Sequence, residues 1–161
     1  MKNTFFYSFL IMLSFSLMST TCSSDDDGPS NNDNSQEIIE IENTAESGTW
    51  IISSYIDSGQ DETNDFAGYE FTFNANGTVV ATNGTTTYNG TWSVTDSSNS
   101  SDDSSNDDDI DFNLSFPVPD TDDFEDLNDD WDIVSYTSTT ISLIDISGGN
   151  GGTDTLVFQK N

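Results

Sequence analysis

The sequence predicts an all-β fold, with eight antiparallel strands running up and down and closing into a barrel. Three observations predict it. From Gly48 onward apolar and polar residues alternate with period two, the signature of strands buried on one face and wet on the other. The apolar positions are rich in Val, Ile and aromatic residues, with Thr frequent between them, the types that suit a pleated, half-buried surface. Turn-forming clusters of Asn and Gly divide the run into short segments, as sequential hairpins require. A two-sheet sandwich fits the same strand count, so it stays open as the alternative.

The strands are expected near 49–57, 68–74, 77–83, 86–95, 109–116, 131–137, 139–146 and 153–160. The register is read from the alternation. Ile110, Phe112, Leu114 and Phe116 alternate with Asp111, Asn113 and Ser115, and Tyr69, Phe71 and Phe73 alternate with Glu70 and Thr72. One alternation must serve each strand. Trp50, Phe71, Phe73, Trp92, Phe112, Leu114 and Phe158 are therefore expected to point inward. Asn74–Gly77 reads as a tight turn, and Asn83-Gly84 as a type I′ hairpin turn. Residues 122–127 read as a short helix capped by Asp120 or Thr121. The Ser/Asn/Asp tract 96–109 is long for a hairpin and reads as a disordered insertion.

The N-terminal third differs in kind. Lys2 precedes fourteen residues, Phe5–Met18, that are mostly apolar. That is too short for an ordinary membrane span and suits the core of an export signal. Ser19-Thr20-Thr21 follows, and then Cys22, the only cysteine of the chain. No intrachain disulfide can form. Residues 1–21 are expected to be a signal peptide and Cys22 the site of lipid attachment. An uncleaved anchor with a free thiol is the alternative. Residues 22–47 are polar and acidic and read as a disordered tether. Ile38-Ile39-Glu40-Ile41 is an exception, able to form a turn of helix or a docked strand. The domain proper is expected over 48–161.

The charge narrows the function. Thirty acidic residues face two lysines, Lys2 and Lys160, with no Arg or His, for a formal net charge of -28. Phosphate binding needs Lys and Arg to displace counterions, so nucleic acid is excluded as a partner. Without His, and without Cys in the domain, Ser-His-Asp and Cys-His catalysis are absent. A paired-carboxylate hydrolase remains formally open, but the Asp residues crowd polar loops, so no enzyme and no catalytic residue is expected. No cofactor is expected. Two acidic clusters, 102–111 and 120–132, lack the D-x-D-x-D-G loop that calcium sites use. The glycine run 148–152 with Asp154 occurs once, whereas calcium-binding repeats stack. Calcium is possible but solvated loops are favoured, so no metal ligand is assigned. Asn76, Asn83 and Asn89 each open an Asn-Gly-Thr triplet, and all three read as turns.

Two resemblances sharpen this. Thr20-Thr21-Cys22 at the end of the apolar run resembles a lipobox, and Ser23-Ser24-Asp25-Asp26-Asp27 resembles the acidic address of Bacteroidetes surface lipoproteins. Gly48-Thr49-Trp50 resembles the G-x-W that opens lipocalins. With Tyr69-Glu70-Phe71-Thr72-Phe73, Gly90-Thr91-Trp92-Ser93-Val94, Trp131-Asp132-Ile133-Val134 and Leu156-Val157-Phe158-Gln159-Lys160, it resembles the lipocalin-like domains of such lipoproteins. The resemblance implies a lipocalin-like barrel, anchored in the outer membrane by its lipid and exposed at the cell surface. It also implies a basic residue over the first Trp, for which Lys160 is the candidate. A small apolar ligand would then be lined by Trp50, Tyr69, Phe71, Phe73, Trp92, Phe112, Phe116 and Trp131. Those side chains could equally fill the interior of a small barrel. A ligand-binding module and a solid-cored surface interaction or adhesion protein are therefore both carried forward. An empty interior would favour the first, and a packed one the second.

Overall fold

The computed structural model describes residues 34–96, 110–146 and 152–161. The proposed signal, Cys22, the acidic tract after it, most of the Ser/Asn/Asp insertion and most of the glycine run lie outside the described residues.

The strands are β1 (Thr49–Asp57), β2 (Gln60–Asp61), β3 (Glu70–Asn74), β4 (Thr78–Thr82), β5 (Thr87–Asp96), β6 (Ile110–Ser115), β7 (Asp129–Tyr136), β8 (Thr140–Ile146) and β9 (Thr153–Lys160). They pair in the order β2-β1-β3-β4-β5-β6-β7-β8-β9, all antiparallel. β9 then returns to pair with β1 from Trp50↔Lys160 to Ile56↔Thr155. That last pairing closes eight strands into a barrel and rules out the sandwich. β2 stands outside the ring as a two-residue hairpin arm on β1. Closure gives each of the eight long strands a partner on both sides over part of its length.

The alternation works as read. Trp50, Phe71, Phe73, Trp92, Phe112, Leu114 and Phe158 are buried. Glu70, Thr72 and Ser115 are exposed, and Asp111 and Asn113 are half-buried. Bulges at Ile52/Ser54 in β1 and Ile133/Ser135 in β7 shift the period once in each strand. Tyr55 thus continues the inward face of β1.

Several local expectations are corrected. Within the expected tether 22–47, Ser35–Glu46 forms an α-helix, α1. Its Ile41 and Ala45 are fully buried, so an apolar stripe on a polar segment has docked and offset the ordering cost. The Asn83-Gly84 turn is not type I′. Gly84 has φ +81° but Asn83 does not reach positive φ. Instead the Asn83 side-chain oxygen accepts from the amides of Thr85 and Thr86, at 3.0 and 2.8 Å. Positive φ at two consecutive turn residues, the type I′ requirement, is met at Ser58-Gly59 between β1 and β2. The short helix near 122–127 is a 3-10 turn, Glu125–Leu127. Neither Asp120 nor Thr121 caps it; Asp122 accepts from the Phe124 amide at 3.1 Å. Asn89-Gly90 is not a turn but the middle of β5. A Cβ at Gly90 would lie 2.5 Å from the Ser115 carbonyl oxygen and 2.8 Å from Phe116. Glycine there lets the Phe116 ring lie against the strand.

Candidate functional site

The barrel has two ends, and each is covered. At the lower end β1 begins and β9 finishes. α1 packs there against β3 and β5, with Ile41 and Ala45 joining the barrel core. The Trp50 indole N–H donates to the Ala45 carbonyl at 2.8 Å, tying the helix to the first strand. At the upper end a 3-10 turn, Thr63–Phe66, and the turn Glu125–Leu127 fold over the opening. They bury Phe66, Phe124 and Leu127. The Tyr55 hydroxyl donates to the Asp126 carbonyl at 3.0 Å, and the Trp131 indole N–H to the Leu127 carbonyl at 3.1 Å.

Between these covers the interior is occupied by rings. Phe73 has Trp92, Phe112 and Phe158 around it at centroid distances of 5.2, 5.4 and 5.5 Å. Phe71 meets Phe158 at 5.3 Å and Phe116 at 6.5 Å. Phe124 meets Phe66, Tyr69, Tyr88 and Phe116 at 3.9–5.5 Å. Most of these pairs are edge-to-face, the arrangement that fills space while satisfying the ring quadrupoles.

The eight aromatic residues singled out in the sequence therefore divide. Trp50, Phe71, Phe73, Trp92, Phe112, Phe116 and Trp131 lie in the core. Tyr69 is half-buried at the upper rim. Sequence reasoning missed Tyr55, Phe66 and Phe124, which complete the upper cover. Their signal was weak, since Phe66 and Phe124 stand alone in acidic loops and Tyr55 sits beyond a bulge.

Lys160 does what the resemblance implied. Its Nζ lies 5.6 Å from the Trp50 ring centroid and donates to Ser47 Oγ at 2.8 Å. A Cβ on Gly48 would lie 2.6 Å from Lys160 Cε. The Gly of G-x-W is thus the space through which the lysine stem passes.

The upper rim is crowded with carboxylates. Burial, then the charges of Asp57, Asp65 and Asp123 among others, push both Glu62 and Asp126 above the ordinary carboxylate range. Asp129 is raised to about 6, first by burial and then by the neighbouring Asp130 and Asp145. Burial and the Asp126, Asp57 and Asp154 charges raise Tyr55. Asp61 moves the other way, lowered by hydrogen bonds from the Thr63 side chain and amide. Asp154 accepts from the Ser58 amide at 2.7 Å, which ties β9 to the β1 turn. Among the described residues no group of three or more His, Cys, Asp or Glu side chains converges to hold a metal ion. A cleft of about 180 Å³ opens at this rim between Tyr69, Tyr88, Asp122 and Asp123. The Tyr88 hydroxyl donates to Asp122 across it at 3.2 Å. A larger groove, about 590 Å³ and open to solvent, runs along the outside of β5 and β6 past Asn128 and Asp129. Both lie on the surface, and neither is lined by Phe71, Phe73, Phe112 or Phe158.

Fold and site together define a class: a closed eight-stranded antiparallel meander barrel, capped at both ends and ring-packed between the caps. A DUF4847 family protein from Bacteroides vulgatus ATCC 8482, known from its crystal structure, is similar. It shares 17% identity, with 75% of this chain and 97% of that chain covered, at a TM-score of 0.47. No family model matches the sequence, and no curated protein does.

Proposed function

We propose that this chain is a lipid-anchored lipoprotein of the outer membrane, displayed at the cell surface, that acts through its outer surface as an interaction module. It is not an enzyme in this reading. The observation that carries the reading is the interior. Phe73 is enclosed by three rings, and α1 and the two 3-10 turns cover the ends. A lipocalin-type carrier of a small apolar molecule needs a preformed cavity behind an open mouth. Here such a molecule would have to displace several buried aromatic side chains, each costing about 3–5 kcal/mol to remove from a packed core. The anchor part of the reading rests on the signal-like run ending at Cys22 and on the acidic tract after it.

Native mass spectrometry of the protein purified from its own membranes tests both parts. The expected species begins at an acylated Cys22 and carries no further small molecule. A stoichiometric apolar ligand would restore the carrier reading, and an intact Met1 would remove the anchor.

A further inference from the structure

The upper cover is made of two turns from different parts of the chain. Thr63–Phe66 lies between β2 and β3, and Glu125–Leu127 between β6 and β7. Apolar contact joins them. The Phe66 and Phe124 rings meet edge-to-face at 5.5 Å, and Phe124 lies over Phe116 and Phe71 at 5.1 and 6.0 Å. Tyr55 of β1 is tied to both turns. Its amide donates to Thr63 Oγ1 at 2.8 Å, and its carbonyl accepts from the Glu62 amide at 3.0 Å. Its ring lies 5.4 Å from Phe66, and its hydroxyl donates to the Asp126 carbonyl at 3.0 Å.

Charge works against these contacts. Glu62, at the start of the first turn, faces Asp65 on that turn, Asp57 on β1, and Asp123 and Asp126 from the second turn and its approach. Asp126 faces Glu125 and Asp123 beside it, and Asp57 and Asp65 across the joint. Asp154 of β9 adds its charge beside Tyr55. Lys160, the only basic side chain of the described residues, stands at the other end of the barrel beside Trp50 and Ser47. The two turns therefore meet through rings and backbone while their side-chain charges repel.

We infer that the upper cover is a charge-loaded lid: its two turns part when their carboxylates are ionised and unscreened, and close when that charge is protonated or screened. The inference goes beyond the proposed function and does not depend on the lipid anchor. Closing the lid crowds the carboxylates and holds Glu62 and Asp126 above the ordinary range. The closed form thus binds protons more tightly than the open one, so acid favours closure. Salt acts in the same direction, because repulsion between exposed charges is screened beyond a Debye length of about 8 Å at physiological ionic strength. Opening is local. The strand ladders beneath stay paired, and Phe71 and Phe116 are uncovered. The covered interior is then the closed state of a barrel with one movable end.

Amide hydrogen exchange on the full chain tests this, read as protection factors so that the intrinsic effect of pH on exchange is removed. From pH 8 to pH 5 in low salt, protection of segments 62–69 and 122–128 is expected to rise several-fold, both together, relative to β9. Salt at about 1 M, where the Debye length is about 3 Å, should do the same at pH 8. The double variant Glu62→Gln/Asp126→Asn should show the raised protection already at pH 8 in low salt. Unchanged protection in both turns overturns the lid. So does a response confined to one turn, since the two would not move as a unit. A rise shared equally by β9 overturns it as well, by assigning the effect to the stability of the whole barrel.

Discussion

Trp92 bears directly on whether the interior is packed. Its ring lies 5.2 Å from Phe73 and 5.6 Å from Phe112, and its indole N–H donates to the Asn74 carbonyl at 3.0 Å. Trp92→Ala should cost about 3–5 kcal/mol in denaturant unfolding, because the neighbouring strands cannot collapse into the space. A loss under about 1 kcal/mol would mean that the ring lines open space. Asp129 gives a test of sign. Its carboxyl is raised to about 6 in the folded chain, above its unfolded value of about 3.9. The folded state therefore binds the proton more tightly, and stability should rise as pH falls from 7 through about 6 toward 4. Asp129 is half-buried at the rim, so solvent screening reduces the effect to on the order of 1 kcal/mol. Asp129→Asn should stabilise the protein by about that amount at pH 7 and flatten this part of the profile. Unfolding midpoints measured across that range would show it, and an unchanged slope in the variant would assign the trend to other carboxylates.

The elements differ in how plainly the sequence announces them. Strands with an unbroken alternation were legible. Ile110-Asp111-Phe112-Asn113-Leu114 states both its strand and its inward face, and the paired register agrees with it. The covers were not legible. α1 is built from SQEIIEIENTAE, whose composition resembles a linker. Only Ile38, Ile41 and Ala45, at helical spacing, mark its inner face, and their worth depends on a barrel end being there to receive them. The upper cover depends on Phe66, Phe124 and Leu127, isolated apolar residues whose role appears only when the closed barrel brings their loops together. The interior aromatics were legible as a set, but whether they surround a cavity or fill it is a property of packing, which alternation does not report. α1 should behave as part of the barrel core. Ile41→Ala should cost about 2–4 kcal/mol and leave a single unfolding transition. Loss of helical circular dichroism ahead of the change in tryptophan fluorescence would show that α1 is an independent attachment.

At the scale of the molecule, closure of β9 on β1 and the two covers produce one consequence: an interior covered at both ends. On the exterior, carboxylates crowd the upper rim. The proposed function stands or falls on the seal. Xenon enters preformed apolar cavities and leaves packed cores empty, so a crystal of the protein under xenon pressure tests the seal directly. Phe73→Ala serves as the control, because removing that ring opens space beside Trp92, Phe112 and Phe158. A packed interior takes up no xenon within the barrel of the unaltered protein and binds an atom in Phe73→Ala. Xenon between Phe73 and Phe158 in the unaltered protein would contradict it and return the chain to the ligand carriers.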